Sequence, residues 1–126
     1  MSSVLLFSQH FEQPLDRDRL DEVVREAGAC ALATFGAPLK TWTKDRGSPV
    51  SEADIAVDNL LRVRLTALLP EAGWLSEETE DDPARLTAQL LWIVDPIDGT
   101  RAYLAGLPDW SVAATEISLD RRWSAG

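Results

Sequence analysis

The chain is poor in the residues that most often carry nucleophilic or redox chemistry: its 126 residues include one cysteine and one histidine. A lone cysteine cannot close an internal disulfide, so a reducing cytoplasm is the expected compartment. Cys30 stands among Ala29, Ala31 and Leu32 and reads as a small buried hydrophobe rather than a nucleophile. His10 lies in the N-terminal segment and is assigned no role. Basic residues are also scarce, 12 Lys and Arg against 21 Asp and Glu, for a net charge of −9. That balance argues against a nucleic-acid backbone or an anionic membrane as a partner. It does not argue against a small phosphorylated ligand, because a bound cation reverses the local sign. No apolar run approaches the length of a membrane span. The patch Val4 to Phe7 lacks a basic flank and a small-residue cleavage site, so no signal peptide is expected. Repeats, low-complexity stretches and linkers are absent as well. What is present, 45% hydrophobic and 26% charged residues, is ordinary globular composition, enough for one domain with a core.

Residues 1–14 are expected to form a loose arm, and residues 15–126 the folded domain. Leu15 to Phe35 predicts a first helix, because Leu20, Val23, Val24, Ala27, Ala31 and Phe35 recur near helical spacing. Asp16 or Asp18 can cap its start, Gly36 fits its stop, and Pro38 bars continuation. Leu39 to Thr43 reads as a strand and Lys44 to Pro49 as a turn-rich loop, which by itself is a solvated connector. Ser51-Glu52-Ala53-Asp54 has the form of a capping box opening a second helix. Ile55, Val57, Leu60, Leu61, Val63, Leu65, Leu68 and Leu69 make that helix broadly apolar, as if buried on more than one side, and Pro70 ends it. Trp74 to Ser76 is a short strand before the acidic run Glu77, Glu78, Glu80, Asp81, Asp82, which alone is a solvated loop. A short helix is expected within Pro83 to Gln89, one or two helical turns within Arg101 to Leu107, and a long buried strand from Trp110 to Leu119. Asp120-Arg121-Arg122 reads as a hairpin turn and Trp123 as the start of a returning strand. A four-residue arm there leaves its neighbour as an exposed edge, a template for homo-oligomer formation. Two long helices ahead of a largely antiparallel sheet is α+β logic.

The chemistry concentrates in Trp92-Ile93-Val94-Asp95-Pro96-Ile97-Asp98-Gly99-Thr100. The apolar run Leu90 to Val94 predicts a buried strand ending in an acidic turn. Asp95 and Asp98 sit three residues apart with Pro96 stiffening the backbone between them. Gly99 can take a positive φ or admit a ligand close to the backbone. Thr100 offers a hydroxyl at the start of a short helix, where unpaired N–H groups attract anions. A rigid turn with two carboxylates and a carbonyl supplies the oxygen donors that a hard divalent cation needs. An Asp-rich turn that merely caps a helix is the alternative.

This stretch resembles the signature of the inositol monophosphatase family, Mg²⁺-dependent, Li⁺-sensitive phosphomonoesterases related to bisphosphate nucleotide phosphatases, histidinol phosphatases and fructose-1,6-bisphosphatases. Lys44 to Asp54 and Leu75-Ser76-Glu77-Glu78 agree with it in the family's order. The resemblance covers nearly the whole chain but only the first half of a family member. It implies the N-terminal part of a layered α/β sandwich and hydrolysis by metal-activated water, with two or three Mg²⁺ ions and Mn²⁺ as a substitute. It implies that Glu77, Asp95 and the carbonyl of Ile97 hold a first metal, that Asp95 and Asp98 share in a second, and that Asp54 lies at a weaker third position. Thr100 with Glu77 positions the attacking water, the backbone N–H groups of Gly99 and Thr100 cradle phosphate, and Lys44 lies in a loop folding over the metals. The substrate expected is a small inositol phosphate, 3′-phosphoadenosine 5′-phosphate or histidinol phosphate, with a lean toward the last two. A further aspartate ligand belongs to the half that is absent here, so this chain alone is expected to bind Mg²⁺ weakly and turn over poorly or not at all. The competing expectation is a catalytically inactive structural or oligomerising module.

Overall fold

Two helices form for the reasons their sequences give. In the computed structural model, which describes residues 3–6, 17–44, 47–79 and 83–118, helix α1 spans Arg17–Ala33 and turns Leu20, Val23, Val24, Ala27, Gly28 and Ala31 inward. These positions lie three or four apart and make one apolar stripe. The chain leaves α1 through a turn in which Gly36 takes a φ of 82°. Strands β2 (Thr41–Thr43) and β3 (Pro49–Ser51) pair antiparallel as a short, separate ribbon. Helix α2 (Glu52–Leu68) follows directly. The Ser51 side chain accepts from the N–H groups of Ala53 and Asp54, and the Asp54 carboxylate accepts from the N–H of Ser51, so the capping box is complete.

α2 corrects one expectation. It buries only Ala53, Asp54, Val57, Asp58, Leu61 and Leu65, while Val63 is 69% exposed. A helix lying on a sheet with one helical neighbour has a single face to hide, and the extra leucines, Leu60, Leu68 and Leu69, flank that face half-buried.

The main sheet has four strands in the order β1-β6-β5-β4, namely β1 (Ser3–Leu6), β4 (Gly73–Ser76), β5 (Leu90–Asp98) and β6 (Ser111–Ser118). It is mixed, not largely antiparallel: β4 pairs parallel with β5 and β1 parallel with β6, and only β5 and β6 run antiparallel. The physical reason is connection length. Residues 77–89, which include a 3₁₀ turn at Pro83–Thr87, are long enough for the crossover that parallel pairing demands. Nor is the N-terminal segment wholly a loose arm, since Ser3–Leu6 hydrogen-bonds along β6 as an edge strand. The proposed hairpin turn at 120–122, Trp123, His10, and the helix-start candidates Leu15 and Asp16 lie outside the described residues.

Side chains at alternate positions of β4, β5 and β6, Trp74, Trp92, Val94, Val112 and Ala114, join the α1 and α2 stripes in one core. An aromatic group closes its far end: the rings of Tyr103 and Trp110 meet edge to face at 4.9 Å, and Phe35 packs on both. The Tyr103 hydroxyl donates to the Ala31 carbonyl at 2.7 Å, so the Thr34 hydroxyl, also at 2.7 Å, must donate to it. That pair ties the short helix α3 (Thr100–Leu104) to the end of α1.

Candidate active site

Five pieces of chain meet at one corner of the sheet: the exit of β4, the exit of β5, the first turns of α2 and α3, and the β2–β3 loop. Lys44, Ser48, Pro49, Glu77, Asp95, Ile97, Gly99, Thr100 and Arg101 line a cavity of about 340 Å³ between them. This is the size range of small-ligand sites.

β5 does not end at Val94 in an acidic turn; it continues to Asp98 through a bulge. Asp95 stands opposite Ala113 and Asp98 opposite Ser111, three steps on β5 against two on β6. The extra residue is a bulge, which bends the strand and resets which way its side chains point. The backbone reverses only at Gly99, with a φ of 90°, and a Cβ there would lie 2.6 Å from the Asp109 carbonyl. Both properties anticipated for Gly99, positive φ and close approach, are therefore present, although the close approach is to the protein's own backbone.

Asp54 is fully buried. Its Oδ2 accepts from the Ser51 N–H at 2.8 Å and the Ser51 hydroxyl at 2.7 Å, and its Oδ1 faces the Thr100 hydroxyl at 2.8 Å. The helix-capping and site readings of Asp54 thus hold together, one oxygen for each. Thr100 has one proton for two acceptors, Asp54 Oδ1 and the Ile97 carbonyl at 3.1 Å. The shorter, charge-assisted bond to Asp54 is the stronger, which leaves Thr100 lone pairs able to accept from a water in the cavity.

Lys44 reaches across from the β2–β3 loop and donates to the Glu78 carboxylate at 2.9 Å and, at 3.5 Å, to the Glu77 carbonyl. Burial pulls its ammonium down, but Glu78, Glu77 and Asp95 together outweigh that and raise it. Burial raises the Glu78 carboxyl despite the pull of Lys44. Asp95 is pushed up to about 6, first by burial and then by the charges of Asp98, Glu77 and Glu78, with Lys44 opposing. Negative charge is thus crowded at this corner beyond what Lys44 offsets. Glu77 and Asp98 are exposed, and Asp98 faces Asp95 electrostatically without lining the cavity. Among the described residues no three acidic, histidine or cysteine side chains are grouped as a ready-made metal cage.

Three features escaped the sequence. Glu78 is a buried partner of Lys44, its side chain 6% exposed, a pairing across 34 positions that no local signal announces. Arg101 lines the cavity and donates to the Gly47 carbonyl at 3.1 Å, bridging α3 to the β2–β3 loop. Asp58, one turn beyond Asp54 on α2, is also buried. Only the last had a signal in the chain, a carboxylate four residues after Asp54 on the same helical face.

The sequence profile described as "Inositol monophosphatase family" matches residues 17–115, so the chain belongs to the inositol monophosphatase family. It is 36% identical over 92 residues to a histidinol-phosphatase of Chlorobaculum parvum, covering 72% of this chain and 35% of that one. It is 38% identical over 117 residues to a 3′-phosphoadenosine 5′-phosphate phosphatase of Mycobacterium leprae, covering 87% and 42%. The fold matches the extragenic suppressor protein SuhB of Bartonella henselae with a TM-score of 0.74 at 28% identity, over 81% of this chain and 40% of that one. An inositol monophosphatase/NADP phosphatase solved with Mg²⁺ and phosphate shares the fold, with a TM-score of 0.67 at 23% identity over 81% and 39%. The chain thus spans roughly a third to two fifths of the length of such relatives. The α+β class and the family stand as expected from the sequence. No helix among the described residues is long and apolar enough to cross a membrane.

Proposed function

We propose that the chain, its β1 strand included, forms the N-terminal, metal-binding part of a phosphomonoesterase that hydrolyses a small phosphorylated metabolite in the cytoplasm. A 3′-phosphoadenosine 5′-phosphate-like or histidinol phosphate-like ester is the favoured substrate, ahead of an inositol phosphate. The observation that carries this is the single cavity lined by Glu77, Asp95, Ile97, Gly99, Thr100 and Lys44, where burial and the charges of Asp98, Glu77 and Glu78 also raise the Asp95 carboxyl. Crowded carboxylates with too little opposing charge, all presenting hard oxygen donors, fit a small divalent cation better than any organic cation.

Glu77, Asp95 and the Ile97 carbonyl would hold a first Mg²⁺ and Asp98 would join Asp95 at a second, with Asp54 nearest a third, weaker position; Mn²⁺ is the expected substitute. When bound, such an ion lowers the pKa of a water and offsets charge on the transferring phosphoryl group. The chain's own residues do the rest. Thr100, its proton held toward Asp54, accepts a hydrogen bond from the water, and Glu77 fixes the water's other side. Asp54 keeps Thr100 in that orientation and is itself fixed by Ser51. The N–H groups of Gly99 and Thr100 would donate to phosphate oxygens, and Lys44 holds the β2–β3 loop against Glu78 at the cavity rim. Aligning a nucleophile in this way is a large share of phosphoryl-transfer catalysis.

The test is titration of the purified 126-residue chain with Mg²⁺ and Mn²⁺, followed by phosphate release from a panel of esters. Millimolar binding with slow or no turnover is the expected result. No binding at millimolar metal overturns the proposal in favour of a structural module.

A further inference from the structure

The turn that carries Glu77 is held from below by a residue outside the proposed ligand set. Asp58 projects from α2 into the space beneath the exit of β4 and is 4% exposed. Its two carboxylate oxygens receive two hydroxyls, one from each side of Glu77: Ser76 donates to Oδ1 at 2.5 Å, and Thr79 donates to Oδ2. Each hydroxyl then takes a second bond as an acceptor. Ser76 Oγ receives the N–H of Glu78 at 3.2 Å, and Thr79 Oγ1 receives the indole N–H of Trp74 at 3.3 Å. The hydroxyl donor and acceptor capacities are thus used in the arrangement a carboxylate imposes, since an ionised carboxylate can only accept.

We propose that Asp58 is a positioning residue, a clamp that fixes the 76–79 turn so that Glu77 is presented at the cavity and Glu78 at Lys44. For its metal consequence the proposal rests on the function proposed above; the clamp itself does not. The geometry favours this over a simple tie between α2 and β4. A tie would need one bond to the strand, whereas here the second oxygen skips over Glu77 and Glu78 to catch the far side of the turn. Closing the turn at both ends removes the freedom of exactly the residues between them. Glu77 itself is exposed and is anchored only through its backbone, its N–H to the Val94 carbonyl at 3.4 Å and its carbonyl to the Lys44 ammonium at 3.5 Å. Without the clamp nothing else among the described contacts of the Glu77 side chain sets its direction. Groups that orient a metal-binding carboxylate from behind commonly influence affinity strongly.

The discriminating variant is Thr79→Val in the complete chain, which removes the far bond and leaves Ser76 on Asp58; Thr79→Ser restores the hydroxyl. Asp58→Asn, which keeps one acceptor, is the companion. The first readout is backbone amide exchange of residues 77–79 in metal-free protein, expected to rise about tenfold in Thr79→Val while α1, α2 and β5 stay as in the wild type, and to recover in Thr79→Ser. The second is the Mn²⁺ dissociation constant from spin-resonance titration, expected to rise about tenfold and to recover with the same serine variant. Unchanged exchange in the turn overturns the clamp. Faster exchange with unchanged Mn²⁺ affinity overturns its role in presenting Glu77. If the wild-type chain takes up no Mn²⁺, the proposed metal function fails, and the exchange arm alone decides whether Asp58 fixes the turn.

Discussion

Replacing Asp95 with asparagine should make the metal-free chain more stable, and should do so only above mildly acidic pH. Asp95 is half-buried on β5 and its carboxyl is raised from 3.8 to about 6 by burial and by its acidic neighbours. A group whose folded pKa is raised binds its proton more tightly in the folded state. Its contribution to stability is intact below about pH 4 and is lost as pH climbs through about 6. The whole shift corresponds to about 3 kcal/mol at 1.36 kcal/mol per pKa unit. Solvent reaches part of the side chain, and screening reduces the expected cost at pH 7.5 to ~1–2 kcal/mol. Asp95→Asn keeps the shape and discards the charge, so it should gain that amount at pH 7.5, about 3–8 °C in Tm for a chain of this size. At pH 4 the two proteins should melt together. Magnesium should narrow or close the gap, because a cation that binds only the folded wild type stabilises it by mass action and the variant forgoes that gain. Thermal unfolding followed by circular dichroism at pH 4, 5.5 and 7.5, with and without 10-millimolar-scale Mg²⁺, measures all three. A variant no more stable than wild type at pH 7.5, or a gap that does not change with pH, would refute the reasoning.

Further outcomes follow from single contacts. Gly99→Ala should cost about 2–3 kcal/mol in chemical denaturation, since it adds a Cβ at 2.6 Å from the Asp109 carbonyl and forces a side chain onto a φ of 90°. Ser51→Ala should lower stability by about 1–2 kcal/mol by uncapping α2, with Ser51→Thr recovering most of it. Tyr103→Phe should cost about 1–2 kcal/mol, because the Ala31 carbonyl and Thr34 both lose the buried hydroxyl. Equilibrium unfolding in urea reads the last two, and a change under a few tenths of a kcal/mol in either would show that the bond is replaced by water.

The helices were legible because their signals are local. Ser51 and Asp54 announce a capping box within four residues, and the α1 stripe from Leu20 to Ala31 repeats without interruption. Trp92 and Val94 likewise mark β5, which the structure buries. Strand direction was not legible, because nothing in Trp74 to Ser76 or in Val4 to Leu6 records which neighbour it meets. Parallel pairing depends on where a crossover lands, a property of the whole chain. Nor was the extension of β5 past Pro96, since proline normally signals a strand's end and is tolerated here beside a bulge. At the site, Glu77, Asp95 and Thr100 stood out by motif and do line one cavity. Asp58 and Arg101 did not, because what they do depends on partners 18 to 54 residues distant in sequence.

The irregularity in β5 makes the separation of its two aspartates a fixed length. Strands count by twos, so positions three apart on a regular strand look toward opposite sides. One surplus residue cancels that parity, and Asp98 comes to stand opposite Ser111, on the same side as Asp95 opposite Ala113. Flattening the strand with all three steps kept would undo that, and would send the second carboxylate through the sheet toward the side that α1 and α2 cover. Evolution or an engineer must therefore keep the kink together with the residue count, because either one changed alone re-aims the second aspartate.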